Sequence, residues 1–208
     1  LIVIYFCDKI RVNLSKIPKP NVIITAICYF HRFYLREHVH CVDPSKMVYA
    51  CLFLASKVEE LSMTHDEFCH RLSKDPKAMD YLVYHEMLLL RGLKYQLHVL
   101  TPIQAAQSLV NRCNNLLRHS PQIAAKLGIN SEEEITKFIQ TVNNKINAKI
   151  YDAYFIRQVV FCFSPTVIAL ACFDLFLKEG QFAGFHEGLA SAQDFIKLTF
   201  NGDQCSQF

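Results

Sequence analysis

The chain has 208 residues, 51% of them hydrophobic, and a mean hydropathy of +0.14, which together exclude a disordered polymer. The formal net charge is only +3 and no run of five basic residues occurs, so nucleic acid is not the default partner. The nine cysteines are odd in number and scattered through apolar helical contexts, which argues against a disulfide framework and predicts a reducing, intracellular compartment.

Apolar residues recur with helical periodicity and almost never alternate as in strands, so the sequence predicts an all-α fold. Asp43 before Pro44 marks one helix start, and Thr64 with Glu67 has the form of a capping box at another. Gly92 is predicted to cap a helix end. In chain order, helices are expected up to about residue 13 and at about 19–36, 44–60, shortly after 64, 76–91, 102–119, 131–156, 165–179 and 185–200.

The helix that starts at Pro44 has a second copy later in the chain. DPSKMVYACLFLASK (43–57) aligns with SPTVIALACFDLFLK (164–178) at a constant offset of 121 residues. Both stretches have a capping residue, a proline in the first turn and a small Ala-Cys step. This repeat predicts two related helical domains in tandem, covering residues 1–100 and 101–208.

Two charged residues interrupt apolar helix faces in the first of these domains. On a helix, Lys57 has Phe53, Leu54 and Leu61 among its neighbours. The neighbours of Glu86 one turn away are all apolar: Leu82, Val83, Leu89 and Leu90. Burying a charge without a partner costs several kcal/mol of folding free energy. Either both side chains extend to solvent from ordinary core helices, or they lie side by side within an apolar patch of the kind that binds another protein.

Three segments carry a family resemblance: YFHRFYL (29–35), CLFLASKVEEL (51–61) and YHEMLLLRGLKYQLHVLTP (84–102). They closely resemble the cyclin box, including its Lys and Glu at the separation of 29 residues found between Lys57 and Glu86. The resemblance implies two tandem cyclin folds of five helices each. Within the family, the chain is most similar to the transcriptional cyclins, to the cyclin H type first and the cyclin C type second.

The resemblance also implies a function. The chain is expected to be a non-catalytic subunit that binds and activates a cyclin-dependent kinase of the CDK-activating or RNA polymerase II tail kinase type. A third assembly subunit is an expected further partner, and the expected location is the nucleus, with the cytoplasm second. No cofactor, metal, membrane or direct nucleic-acid contact is implied.

The expected kinase-binding residues follow from the same resemblance. Lys57 and Glu86 would hydrogen-bond main-chain groups at the ends of the mobile regulatory helix of the kinase. The residues expected to supply apolar contact are Val58, Leu90 and Leu97, with Phe53 and Leu54 at the edge. The second domain has Lys178 in the position of Lys57 but no counterpart of Glu86, so only the first domain is expected to bind that helix.

Other functions are less well supported by the sequence. The alternative is a general transcription factor core of the TFIIB kind, which shares the doubled helical fold and binds promoter DNA. Against it stands the absence of a basic stripe. Two sets of metal-ligand types, His38-His40-Cys41 and His65-Cys69-His70, lack the spacing of known zinc motifs, and no constellation of residues supports a helical enzyme.

Overall fold

The computed structural model describes residues 2–12, 19–61, 63–72, 78–119, 124, 129 and 131–178. Every regular element within these ranges is a helix, which confirms the all-α prediction. In chain order the helices are α1 (Ile2–Val12), α2 (Pro20–Phe33), α3 (Pro44–Val58), α4 (His65–Leu72), α5 (Ala78–Gly92), α6 (Ile103–His119), α7 (Glu132–Tyr154), α8 (Arg157–Cys162) and α9 (Pro165–Lys178). The helix predicted at 185–200 lies outside the described residues.

The chain divides into two compact units. The first comprises residues 1–101 together with 151–163, and the second comprises 102–150 and 164–208. The sequence repeat did not predict that residues 151–163 would return to the first unit. The assignment of residues 1–100 and 101–208 to two five-helix domains stays a prediction.

The core of the first unit is built around α2 and α3, which are buried along most of their length. Large aromatic side chains fill it, among them Tyr29, Phe30, Phe33 and Phe53, all almost fully buried. Cysteines pack there as small hydrophobic residues. Burial raises the pKa of the Cys7 thiol to about 12, so this side chain is neutral.

The predicted helix starts are confirmed in detail. The Ser45 amide donates to Asp43 Oδ1 at 2.9 Å, which caps α3. At α4 the Glu67 amide donates to Thr64 Oγ1 at 3.2 Å and the Thr64 amide to Glu67 Oε2 at 3.5 Å, forming the capping box.

The predicted role of Gly92 is wrong. Gly92 lies inside α5, and the left-handed residue that ends this helix is Lys94, with φ 52°. Amides of Tyr95 and Lys94 donate to the carbonyls of Leu90 and Arg91, which completes a Schellman motif two residues beyond the predicted cap. Gly92 is instead required by packing, because a Cβ there would lie 2.6 Å from Cδ2 of Phe33.

The segment after α5 runs back along α2. The Tyr29 hydroxyl donates to the Leu97 carbonyl at 2.6 Å, and the Thr101 hydroxyl donates to Asn21 Oδ1 at 3.2 Å near the start of α2. These bonds fix an extended stretch that has no helix of its own. Leu97, a predicted contact residue, is thereby held at a defined place on the first unit.

Residues 151–163 include a helix, α8, that the sequence did not predict. They are joined to α2 through His31, which is fully buried. His31 Nε2 lies 3.0 Å from the Tyr154 carbonyl and donates to it in the matching tautomer. Burial lowers the pKa of His31, so the neutral ring is favoured. On the surface of the same unit, Arg11 pairs with Asp152 at 3.0 Å.

The second unit contains α6 and α9, which pack against each other. Like Asp43 in α3, Ser164 caps its helix, since its hydroxyl accepts from the Val167 amide at 3.4 Å in α9. The matched cysteines Cys51 and Cys172 are both buried. The correspondence ends at the matched leucines, because Leu54 is buried and Leu175 is exposed.

Candidate functional site

Lys57 is placed by the way α3 ends. Glu60 takes a left-handed conformation with φ 55°, and the amides of Glu60 and Leu61 donate to the carbonyls of Lys57 and Ser56 in a second Schellman motif. The Lys19 ammonium donates to the carbonyls of Glu59 and Glu60 at 3.0 and 3.1 Å. The last turn of α3 is therefore fixed both locally and from the start of α2.

Lys57 and Glu86 form an ion pair. Lys57 Nζ donates to Glu86 Oε1 at 2.6 Å, which joins the end of α3 to the middle of α5. The Glu86 side chain is 11% exposed and that of Lys57 is 42% exposed, so the pair lies at the rim of the core rather than inside it. Of the two readings left open by the sequence, side-by-side placement is the one found.

The Phe53 ring packs against the Lys57 ammonium. Lys57 Nζ lies 4.2 Å from the centroid of the Phe53 ring, within the range of a cation–π contact. Because Lys57 is nearly half exposed, solvent screens the pair, and its contribution to stability is about 0–1 kcal/mol. The pair therefore matters less for folding than for the position of its polar atoms.

His65 is a member of this site that sequence reasoning missed. Its Nε2 lies 3.9 Å from Glu86 Oε2, and its ring contacts that of Phe53 at a tilt of 48°, with centroids 4.4 Å apart. The sequence had raised His65 only as a candidate metal ligand. No local pattern predicts the contact, because His65 begins α4 whereas Glu86 belongs to α5.

The predicted apolar contact residues separate into two groups. Val58 is exposed, and Leu90 and Leu97 are half-buried, so all three leave apolar surface that a partner could contact. Phe53 and Leu54 are 0% and 3% exposed and belong to the core. Their predicted place at the edge of the contact surface is corrected accordingly, since a buried side chain supports the surface but does not touch a partner.

Helix α5 extends the apolar surface beyond the predicted residues. Val83, Tyr84 and Met87 are all exposed on this helix. Val83, Met87 and Leu90 follow the four-residue and three-residue steps of one helix face. That spacing could have identified them from the sequence, where Val83 was noted only as a neighbour of Glu86.

The site has free hydrogen-bonding capacity. An ammonium carries three donors, of which Lys57 uses one on Glu86. Among the described residues, Glu86 Oε2 has no partner closer than His65 Nε2, at 3.9 Å. The pair can therefore donate to a carbonyl and accept from an amide at the same time, which suits main-chain groups of an approaching segment and no covalent chemistry.

Two other features, a metal centre and a membrane-spanning helix, are absent from the described residues. Those residues contain no group of three or more His, Cys, Asp or Glu side chains placed to hold a metal ion. Within the same ranges, no helix is both long and apolar enough to cross a membrane.

Comparison with known proteins identifies the region that holds this site. Residues 11–98 match the family described as "Cyclin, N-terminal domain", and every predicted contact residue falls within them. The chain is 32% identical to cyclin-H of Xenopus laevis over 101 residues, covering 47% of this chain and 30% of that protein. It is 27% identical to cyclin mcs2 of Schizosaccharomyces pombe over 168 residues, covering 80% and 47%.

A solved structure extends the comparison to the fold of nearly the whole chain. A chain of the yeast TFIIK (Kin28/Ccl1/Tfb3) complex, solved by cryo-EM, superimposes with a TM-score of 0.67 at 19% identity, covering 96% of this chain and 82% of that one. The fold is therefore the one found in that complex. The aligned regions span 30% and 47% of the two curated relatives.

Proposed function

We propose that this chain, whose residues 11–98 match the cyclin N-terminal domain, is a regulatory subunit that binds and activates a cyclin-dependent kinase. The observation that carries the proposal is the Lys57–Glu86 pair at the rim of an apolar surface. In this role the chain contributes no catalytic group of its own.

The pair provides what the end of a helix needs. Helix ends present unsatisfied amides at one terminus and unsatisfied carbonyls at the other. Because their atoms lie 2.6 Å apart, Lys57 and Glu86 reach main-chain groups at one end of a bound kinase helix, where Glu86 accepts from a free amide and Lys57 donates to a nearby carbonyl. These two bonds fix the register of the helix. Val58, Leu90 and Leu97, extended by Val83 and Met87, supply the apolar area that is buried.

Activation follows from differential binding. A cyclin-dependent kinase needs its regulatory helix in the inward position so that its own Lys–Glu pair reaches catalytic geometry. A surface that binds this helix better in the inward position shifts the kinase population by that difference in free energy. Fixed polar groups favour one position of the helix more sharply than apolar contact alone, because hydrogen bonds depend on direction.

The relatives suggest the kinase class. One relative is named cyclin-H, and the fold matches a chain of a complex named for three components, Kin28, Ccl1 and Tfb3. We assign the chain to the CDK-activating or polymerase II tail type, with a third assembly subunit and a nuclear location. The TFIIB-like alternative predicts DNA binding that weakens steeply with salt, which a titration with promoter DNA tests directly.

The test uses the full chain with candidate kinases of this class. Glu86→Gln keeps the shape of the side chain and removes its charge, and Lys57→Met keeps an apolar stem. We expect each to weaken kinase binding by about tenfold or more, since truncated interface anchors cost about 1–2 kcal/mol or more. Kinase activity on a polymerase-tail peptide and on an unphosphorylated activation segment should fall in parallel.

Lys46→Met is the matched control. Lys46 lies at the opposite end of α3 and contacts Tyr81 rather than the pair. It should leave binding and activity within about twofold of the wild type, because isolated surface charges contribute little. Unchanged binding and activation in the Lys57→Met/Glu86→Gln double variant would show that the pair has no part in kinase recognition.

A further inference from the structure

A cavity of about 370 Å³ opens on the first unit. It is formed where α2 and α5 end and where α8 packs nearby. Arg32, Arg36 and Gln96 provide its polar lining, and Leu35, Leu93 and Phe161 provide its apolar lining. None of the proposed kinase-contact residues lines it.

The two arginines of this cavity carry uncompensated charge. Within the described part of the chain, Arg11, Arg71 and Arg118 each lie within 4 Å of a carboxylate. Arg32 and Arg36 have no such partner among the same residues, although Glu37 directly follows Arg36. The cavity is therefore lined by two arginines that have no carboxylate within 4 Å among the described residues.

The apolar wall is exposed but fixed in place. Leu35 and Phe161 are both exposed on the wall of the same cavity, so they offer apolar surface to a bound group. The Phe161 ring packs edge-on to the buried His31 ring, with centroids 6.3 Å apart. Gly92 also lines the cavity, and the space beside its Cα is filled by the Phe33 ring, which makes this part of the wall rigid.

We propose that this cavity binds a protein segment carrying a phosphorylated serine or threonine beside an apolar side chain. A phosphoryl group carries about −1.5 to −2 charges, which matches two guanidinium groups, whereas a carboxylate matches one. Guanidinium also binds phosphate oxygens through two parallel N–H bonds. The apolar neighbour fills the remaining space against Leu35 and Phe161.

The site is tested with the full chain and an array of fluorescein-labelled phosphothreonine peptides that vary in the residues beside the phosphothreonine. Binding is measured by anisotropy at low and physiological salt. We expect selection of leucine or phenylalanine next to the phosphothreonine and loss of binding without the phosphate. Arg32→Gln and Arg36→Gln should each weaken binding about tenfold or more.

Matched variants test separately whether the arginines bind the phosphate and whether the apolar wall selects the neighbouring side chain. Arg91→Gln removes a charge from the last turn of α5 outside the cavity and should leave the affinity unchanged. Phe161→Ala should reduce affinity for the selected peptide while leaving competition by inorganic phosphate unaffected. Thermal unfolding of each variant shows whether the fold is retained.

Three results would overturn the proposal. One is an array in which no phosphopeptide binds more tightly than its unphosphorylated form. Another is equal loss of affinity in Arg91→Gln and Arg32→Gln. The third is tighter binding of a thymidine oligonucleotide than of any phosphopeptide, with the same arginine dependence, which would assign the cavity to nucleic-acid phosphates. Each result is independent of kinase binding.

Discussion

Replacing Gly92 with alanine should destabilise the protein although alanine is the better helix former. The added Cβ would lie 2.6 and 2.7 Å from Cδ2 and Cε2 of Phe33. Phe33 is fully buried and its ring packs edge-on against that of Tyr34, with centroids 5.1 Å apart, so it has little room to move. Overpacking of this kind costs about 1–3 kcal/mol. Alanine recovers at most about 1 kcal/mol of helix propensity, and less at the last residue of α5.

The expected net loss is therefore about 1–2 kcal/mol in the free energy of unfolding, which corresponds to a fall in Tm of about 2–8 °C for a chain of this size. Urea and thermal unfolding of the wild type and Gly92→Ala measure it. Phe33→Leu provides the control background, because a smaller side chain relieves the contact and should reduce the alanine penalty by about half or more. If Gly92→Ala matched or exceeded the wild type in stability, the packing explanation for this glycine would be wrong.

Two further predictions concern single residues of the first unit. Lys94→Gly should raise the free energy of unfolding by about 0.5–1 kcal/mol, because Lys94 has φ 52°, whereas Lys94→Ala should give no gain; chemical denaturation compares them. Burial lowers the pKa of His31 in the folded chain, so as the pH falls the unfolded chain takes up this proton before the folded chain does. The stability contributed by the neutral His31 ring is therefore complete above about pH 6.5 and is lost as the pH falls further. The free energy of unfolding of the wild type and of His31→Gln can be measured between about pH 7.5 and about pH 5. It should fall less steeply with acid in the variant, and parallel pH profiles would contradict the role of His31.

Local chemistry in the sequence was sufficient to predict helix starts. A cap such as Asp43 or a capping box such as Thr64 and Glu67 acts within four residues, so the sequence contains the whole interaction. Helix ends were harder. Glycine is the usual capping residue at a helix end, but position 92 needs glycine because Phe33, distant in the sequence, leaves no room for a Cβ. The left-handed conformation is taken instead by Lys94, which is not a glycine.

The candidate site also combines residues that the sequence could single out with contacts that it could not predict. Lys57 and Glu86 could be singled out because a charge on an apolar helix face is visible in the sequence. The distance between them and the approach of His65 depend on how α3, α4 and α5 pack, which helical periodicity does not specify. Phe53 and Leu54 show the same limit, since periodicity marks a residue as apolar without distinguishing the core from a contact surface.

The hydrogen bond between His31 and the Tyr154 carbonyl has a consequence for how this region could be transferred between proteins. Residues 1–101 form a continuous segment, yet the acceptor for a fully buried donor comes from a later part of the chain. A fragment or chimera ending at residue 101 would leave that donor only the weak acceptor Cys7 Sγ, 3.6 Å away, and we expect this loss to cost up to about 1–3 kcal/mol. The smallest independently folding module is therefore expected to include residues 151–163, which makes it a spatial unit assembled from two separate stretches of sequence.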